Sequence, residues 1–268
     1  MDVCTVNRKQ SQPHETSGLM VCVCVCDASE LFSSSRAPRV MSPPLIRVFQ
    51  DEDYDEVREV YSTGFGEHLN AVCIQTLRQT WVQLALLVFL WGVSSLSGSL
   101  SFAGVSTALL VLAGREGVRY LFNQGIRLGL REDLLDVRAS YMQEGAVSCF
   151  WVAESQGRVV GTVAILPAPS QPGAWELKRI SVRREVRGRG IAMALCGTAL
   201  AFAAARGVKD IVLYTSMLQT DAHKLYHRMG FHKIEEFLWP SLPARLINFM
   251  VYKYGYRVHA GQEAHSEN

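Results

Sequence analysis

Residues 81–114, WVQLALLVFLWGVSSLSGSLSFAGVSTALLVLAG, contain no charged side chain. This run restricts the chain more than any other feature. Soluble core helices keep a polar outer face, so a stretch this long without a charge reads as membrane sequence. Its small polar middle, SSLSGSLS (94–101), divides it into two apolar halves. Each half is about 16 residues, or roughly 24 Å as helix, short of the ~30 Å hydrocarbon core. One tilted span and a re-entrant hairpin both fit that length. A buried helical hairpin of a soluble core is the competing reading.

The chain has 268 residues and a formal net charge of +2. That length suits one domain with an insertion. The near-neutral balance and scattered arginines exclude a nucleic-acid binder that works through bulk charge. The seven cysteines are an odd number without compact spacing, and no CxxC pair occurs, so neither a disulfide framework nor a structural zinc site is expected. In VCVCVC (21–26) alternate residues would share one face of a strand. Residues 1–43, rich in Ser, Cys and Pro, read as a disordered extension without a secretory h-region, and 259–268 as a disordered tail. The domain expected is 44–258, interrupted by the membrane segment 81–114.

Patterned sequence begins with LIRVFQ (45–50), a short strand, and DEDYDEVREVYSTGF (51–65), a helix capped by Asp51. SCFWVAES (148–155) and GRVVGTVAILP (157–167) predict strands joined at Gln156-Gly157. AWELKRISV (174–182) is the next strand, and GIAMALCGTALAFAAARG (190–207) a helix closed by Gly207. KDIVLYTS (209–216) predicts a strand and LQTDAHKLYHRMGF (218–231) a helix capped at Thr220 or Asp221 and ended by Gly230. INFMVYKYGY (247–256) reads as the last strand. The order implies an α/β protein with a mixed sheet.

Between strand 174–182 and its helix lies RREVRGRGIA (183–192). Backbone N–H groups exposed at a helix N-terminus, with the helix dipole behind them, form an anion site. Gly188 and Gly190 allow close backbone approach, and Arg187 and Arg189 add charge-assisted donors. A diphosphate cradle fits. Met193 stands where GxGxxG needs its third glycine, and GxxxxGK[ST] is absent, so two common nucleotide folds lose support.

Arg187-x-x-Gly190-x-Ala192 resembles the [QR]xxGx[GA] signature of the GNAT acetyltransferase superfamily. ISVRREVRGRGIAMAL resembles that family's strand–loop–helix core, and AHKLYHRMGF its later helix; together they cover about residues 147–235. With SCFWVAES and the preceding charge-free segment, the chain is similar to the camello group, or N-acetyltransferase 8 family, near N-acetylaspartate synthetase. The resemblance implies a mixed central sheet with flanking helices, an inserted membrane hairpin, and acetyl-CoA as co-substrate. It also implies an endoplasmic reticulum membrane location. If 45–65 and 147–256 share one sheet, the insert leaves and re-enters on one side. Arg78 before it and Arg115, Arg119 and Arg127 after it favour the cytosolic side.

The resemblance assigns pyrophosphate binding to the backbone of Arg187, Gly188, Arg189, Gly190, Ile191 and Ala192. Ile180, Ser181 and Val182 would hold the pantetheine arm and the carbonyl oxygen. Tyr226 is the candidate general acid, with packing beside Leu225 and Met229 as its alternative. Glu176 is the candidate general base, or else an exposed carboxylate paired with Lys178. Strict alternation puts Glu176, Lys178, Ile180 and Val182 on one face. Arg179 could bind a substrate carboxylate. His223 and His227 have i,i+4 metal-ligand spacing but no third ligand, so they read as solvated and no metal is expected. Cys196 reads as core. The expected acceptor is a small amino acid or cysteine S-conjugate, attacked directly. Protein lysine in the secretory pathway is the alternative acceptor, and a non-catalytic membrane protein affecting adhesion or trafficking the alternative class. The lipid contact is expected through 81–114. The sequence leaves the oligomeric state open.

Overall fold

The computed structural model describes residues 23–24, 44–143, 145 and 147–258. The expected disordered extension and tail lie outside them, apart from the short pair Val23–Cys24. Cys4, Cys22 and Cys26 lie outside them too.

The strand pattern builds one mixed sheet. Its seven main strands are β2 (Leu45–Val48), β3 (Cys149–Ser155), β4 (Arg158–Pro167), β5 (Ala174–Val182), β6 (Asp210–Ser216), β7 (His232–Leu238) and β8 (Met250–Arg257). They run in the order β2-β3-β4-β5-β6-β8-β7, with β1 (Val23–Cys24) joined to β5. Among the described residues, β5 with β6 and β1 with β5 pair in parallel and the other pairs are antiparallel. The β3–β4 turn holds Gln156 at φ 54 and Gly157 at φ 71. Two left-handed residues in succession match the right-handed twist of the strands they join.

Helices cover both faces. Helix α6 (Ile191–Ala204) lays Ile191, Leu195, Cys196, Ala199 and Ala203 on Trp151, Val163, Ile165 and Leu177. Its alanines leave no bulk between helix and sheet, and Ala199 and Ala203 are fully buried. Cys196 lies in the same core as expected, its thiol pushed up to about 12 by burial. On the other face α1 (Tyr54–Gly66) contributes Val57, Val60 and Tyr61. They meet Phe150, Val152 and Ala164 together with Ile126, Leu134, Val137 and Tyr141 from a later segment. Each Val, Ile, Leu or Phe among them contributes about 1.5–3 kcal/mol through burial.

That later segment belongs to the helical hairpin. Helices α2 (Leu69–Leu77) and α3 (Thr80–Ser97) lead into α4 (Leu100–Arg131), and α5 (Val137–Tyr141) follows. Gly98, at φ 64, ends α3 and gives its N–H to the Ser94 carbonyl at 2.9 Å, reversing the chain. Helix α4 runs on past Gly114 through the basic stretch to Arg131, for about 48 Å. Its far end is core, whereas among the described residues none of α3 is buried. The base of the hairpin is tied to the domain. Trp81 Nε1 donates to the Leu246 carbonyl at 2.8 Å and Gln79 Nε2 to the Ile247 carbonyl at 3.0 Å.

Several local expectations change. Asp51 caps nothing; it accepts from Arg138, and Asp53 instead takes the Gln50 N–H at 2.8 Å and the Arg47 guanidinium. Helix α7 (Thr220–Arg228) begins after Gln219, whose side chain holds Ser216 N–H and the Thr215 hydroxyl, while Asp221 pairs with Lys224. Strand β7 is an addition. HKIEEFL has no apolar alternation because both faces of this edge strand are largely exposed. The short helix α8 (Leu242–Leu246), N-capped by Ser241, is a second addition.

Candidate active site

The loop between β5 and α6 is held from beneath. Arg187 Nε donates to the Val182 carbonyl at 2.6 Å, and its two terminal nitrogens grip Glu67 at 2.6 and 3.1 Å. This side chain therefore fastens the loop to the end of α1, a use the sequence reading did not foresee. Arg189 is exposed. Gly188 and Gly190 are left-handed, at φ 73 and 78, and a Cβ on either would meet nothing within 4 Å. Glycine is required here by conformation, and the space in front of the backbone is open. The first bond into α6 is Ala194 N–H to the Gly190 carbonyl at 2.9 Å. The N–H groups of Ile191, Ala192 and Met193 thus point out of the helix end.

Strands β5 and β6 begin side by side and then part. Their register covers Ala174–Glu176 against Asp210–Val212 and stops there. Further along the same edge of β5, Val23–Cys24 pairs with Ile180 and Ser181. An extended backbone therefore fits the edge that carries the predicted residues Ile180, Ser181 and Val182.

Between these two stretches the strand carries a bulge. Thr162 faces Ser181 while Ala164 faces Lys178, so Val163 opposes both Arg179 and Ile180. Arg179 is left-handed at φ 56. The extra residue overturns the simple alternation. Ile180 and Val182 join Trp175 and Leu177 in the α6-side core, away from Glu176 and Lys178. The Ser181 hydroxyl donates to the Val60 carbonyl of α1 at 3.1 Å.

Glu176 is 8% exposed, so the solvated reading fails. Lys178 Nζ lies 4.0 Å from it. Burial pushes its carboxyl above the usual range, against the pull of Lys178 and Arg179. Arg179 is committed to Asp133, with Nε 2.8 Å from Oδ2 and Nη2 in a shorter bond to Oδ1. Tyr226 is fully buried, its ring centroid 5.6 Å from Tyr254 and 5.7 Å from Phe231. His223 is not solvated. Its Nε2 meets the Ser216 carbonyl and its Nδ1 the Tyr254 hydroxyl, both at 3.0 Å. A carbonyl only accepts, so Nε2 carries the proton and Nδ1 accepts from Tyr254. His227 is exposed.

Two features escaped the sequence. His68, beside Glu67, has a buried Nε2 without a hydrogen-bond partner among the described residues, and burial lowers its imidazole. A cavity of about 260 Å³ lies between α2, α4 and residues 239–249, with Ser216 at the end of β6 in its wall. Apart from Thr76, Ser216 and Ser241 its lining is apolar, including Phe65, Phe122, Trp239 and Phe249. Phe65 stacks on Phe122 at 5.1 Å and lies 6.0 Å from Tyr61, whose ring sits 4.9 Å from the Arg179 guanidinium. No local pattern marks such a cavity, because its walls come from segments far apart in the chain, 65–76, 118–128, 216 and 239–249.

Comparison with known proteins identifies the family. The Acetyltransferase (GNAT) family profile matches residues 119–231. The chain is 36% identical over 213 residues to the probable N-acetyltransferase camello of Xenopus tropicalis, covering 80% of this chain and 97% of that one. It is 38% identical over 199 residues to N-acetyltransferase 8 of Rattus norvegicus, covering 71% and 87%. Among solved structures, a putative phosphinothricin N-acetyltransferase aligns with TM-score 0.48 at 14% identity, over 81% of this chain and 99% of that one. With its mixed sheet, parted strands and glycine loop, the chain has the GNAT fold and belongs to the camello, or N-acetyltransferase 8, family of acetyl-CoA-dependent N-acetyltransferases.

Proposed function

We propose that this N-acetyltransferase acetylates the amine of a small amino acid bearing an apolar substituent, of the cysteine S-conjugate class, at a membrane surface. The observation that carries the acceptor class is the apolar cavity beside the open end of the β5–β6 gap. It lies on the α1 and α4 side of the sheet, opposite α6 and its glycine loop. Donor and acceptor can then approach from opposite faces. An aspartate side chain would leave its charge unpaired against Phe65, Phe122 and Phe249, at a cost of several kcal/mol.

The residues present fit acetyl-CoA. The outward N–H groups of Ile191 and Ala192, with the open backbone of Arg187 through Gly190, suit its pyrophosphate. The β5 edge at Ile180–Val182 suits an extended pantetheine arm. When bound, acetyl-CoA supplies an activated acetyl thioester. Glu176 receives the proton that the ammonium sheds, its raised affinity bringing it nearer to the working pH. Tyr226 donates the proton that the released sulfur needs and is reprotonated by the one that the nitrogen loses as its amide forms. Arg179 orients the strand instead of binding substrate, since Asp133 holds it.

The membrane reading rests on the hairpin. Helix α3 is long and apolar enough to enter a bilayer. Leu87, Val88, Trp91, Leu96 and Leu100 stand exposed along the hairpin, an apolar surface that water would not support. The basic flanks and the supply of acetyl-CoA support a catalytic domain on the cytosolic face. The family resemblance points to the endoplasmic reticulum.

The test follows CoA release from acetyl-CoA in membranes carrying the chain, with S-benzylcysteine, aspartate, free lysine or a lysine peptide as acceptor. S-benzylcysteine should be used best, and Gly190→Glu should abolish release by placing a negative charge at the phosphate cradle. Gly125 lines the cavity, and a Cβ there meets nothing. Gly125→Leu should raise KM for S-benzylcysteine about tenfold while leaving KM for acetyl-CoA unchanged. Preferential use of aspartate would overturn the apolar acceptor; preferential use of the peptide would favour protein lysine.

A further inference from the structure

Arg179 is the least expected residue in β5. It is 1% exposed and left-handed at φ 56, and both properties disfavour arginine. Four elements converge on it. Asp133, just beyond α4, accepts from Nε and Nη2 in a bidentate pair. The Tyr141 hydroxyl of α5 donates to the same carboxylate. The Tyr61 ring of α1 lies against the guanidinium. Gly129 of α4 completes the seat: a Cβ there would overlap the Tyr61 hydroxyl and stand 3.1 Å from Arg179 Nη1. On the backbone side, the Thr162 hydroxyl donates to the Arg179 carbonyl at 2.7 Å.

We propose that Asp133 is a positioning residue for acetyl transfer. By gripping Arg179 it holds the β5 bulge in its left-handed form, and the bulge aims the backbone of Ile180–Val182 into the gap between β5 and β6. Burial works to raise the Asp133 carboxyl and the Arg179 guanidinium to lower it; the balance is downward, so the group stays ionised and the grip is charged. Asp133 follows α4, whose first half is the second arm of the apolar hairpin. The seat of the hairpin is thereby linked to the geometry of the reacting strand. The inference rests on the reading of the Ile180–Val182 edge as the pantetheine and carbonyl site.

The test compares Asp133→Asn with the paired variant Asp133→Leu/Arg179→Met in the full-length chain. Asparagine keeps the shape but leaves the buried guanidinium without its counter-charge. The paired variant removes both charges and keeps an apolar filling, so it retains the fold where the single variant fails to fold. Steady-state kinetics, calorimetric binding of CoA and the thermal midpoint are measured together. The expected result is a fall in kcat of about tenfold or more in every variant that folds, with KM for acetyl-CoA within about twofold of the parent. The paired variant should recover the midpoint without recovering kcat. Recovery of both would make the grip mere packing and overturn the inference, as would an unchanged kcat in Asp133→Asn. A parent chain that neither binds CoA nor turns over would instead sink the functional reading beneath it.

Discussion

Glu176 lies within β5, and burial holds its carboxyl above the usual value although Lys178 and Arg179 pull it down. A carboxyl raised in this way binds its proton more readily folded than unfolded. Its contribution to stability is full below the unfolded value and is lost as pH rises through the folded one. Glu176→Gln removes that loss. The thermal midpoint of the variant relative to the parent, followed by calorimetry, should therefore climb as pH rises above the ordinary carboxylate range, while kcat falls by about 10²–10⁴. Stability and activity moving in opposite directions would identify a group kept for chemistry. An unchanged kcat would transfer the base role to another group, with neutral His68 the first to try. Glu176 was legible in the sequence as a candidate, but its setting was not. Period-two alternation carries no sign of an inserted residue, so the bulge at Arg179 reversed the faces of Ile180 and Val182. Asp133 was invisible for a related reason: it lies 46 residues from Arg179, and no spacing rule spans that distance.

At the scale of elements, the glycine loop was legible because all it needs is adjacent: a strand end, two left-handed glycines and a helix start. What fastens it was not. Glu67 sits at the end of α1, 120 residues before Arg187, and the pair joins the acceptor-side helix to the donor-side loop. A bidentate carboxylate–guanidinium pair fixes orientation as well as distance, which an amide cannot reproduce. Glu67→Gln should loosen the loop and raise KM for acetyl-CoA about three- to tenfold with kcat nearly unchanged, measured against a saturating acceptor. An equal fall in kcat would place the clamp in the chemical step. Strand β7 went unread because an exposed edge strand needs no apolar face. Its hydrogen bonds to β8 define it, and those leave no mark in composition.

Across the whole molecule, strong periodicity and turn chemistry made the domain legible. The Gln156-Gly157 turn and the alanine-rich α6 both follow from short stretches. The 81–114 run reads as a membrane segment but leaves its path open, since length alone suits a tilted span as well as a hairpin. The sheet resolves what length cannot. Strand β2 precedes the insert, β3 follows it, and the two pair from Leu45–Glu154 to Val48–Trp151. One sheet cannot be divided by a bilayer, because the separated edges would carry unsatisfied backbone groups into hydrocarbon. An insert that enters a bilayer would therefore have to return to the side it left, and the reversal at Gly98 would give it the means. Epitope tags at the two ends of the chain should both be reached by antibody after selective permeabilisation of the plasma membrane, and the protein should resist alkaline extraction. Tags on opposite sides would require an odd number of crossings, and β2 and α1 could then not pack on β3 and β4. Release by alkali with both tags cytosolic would instead make the hairpin a surface for another protein, leaving the sheet argument intact and removing the bilayer from the account.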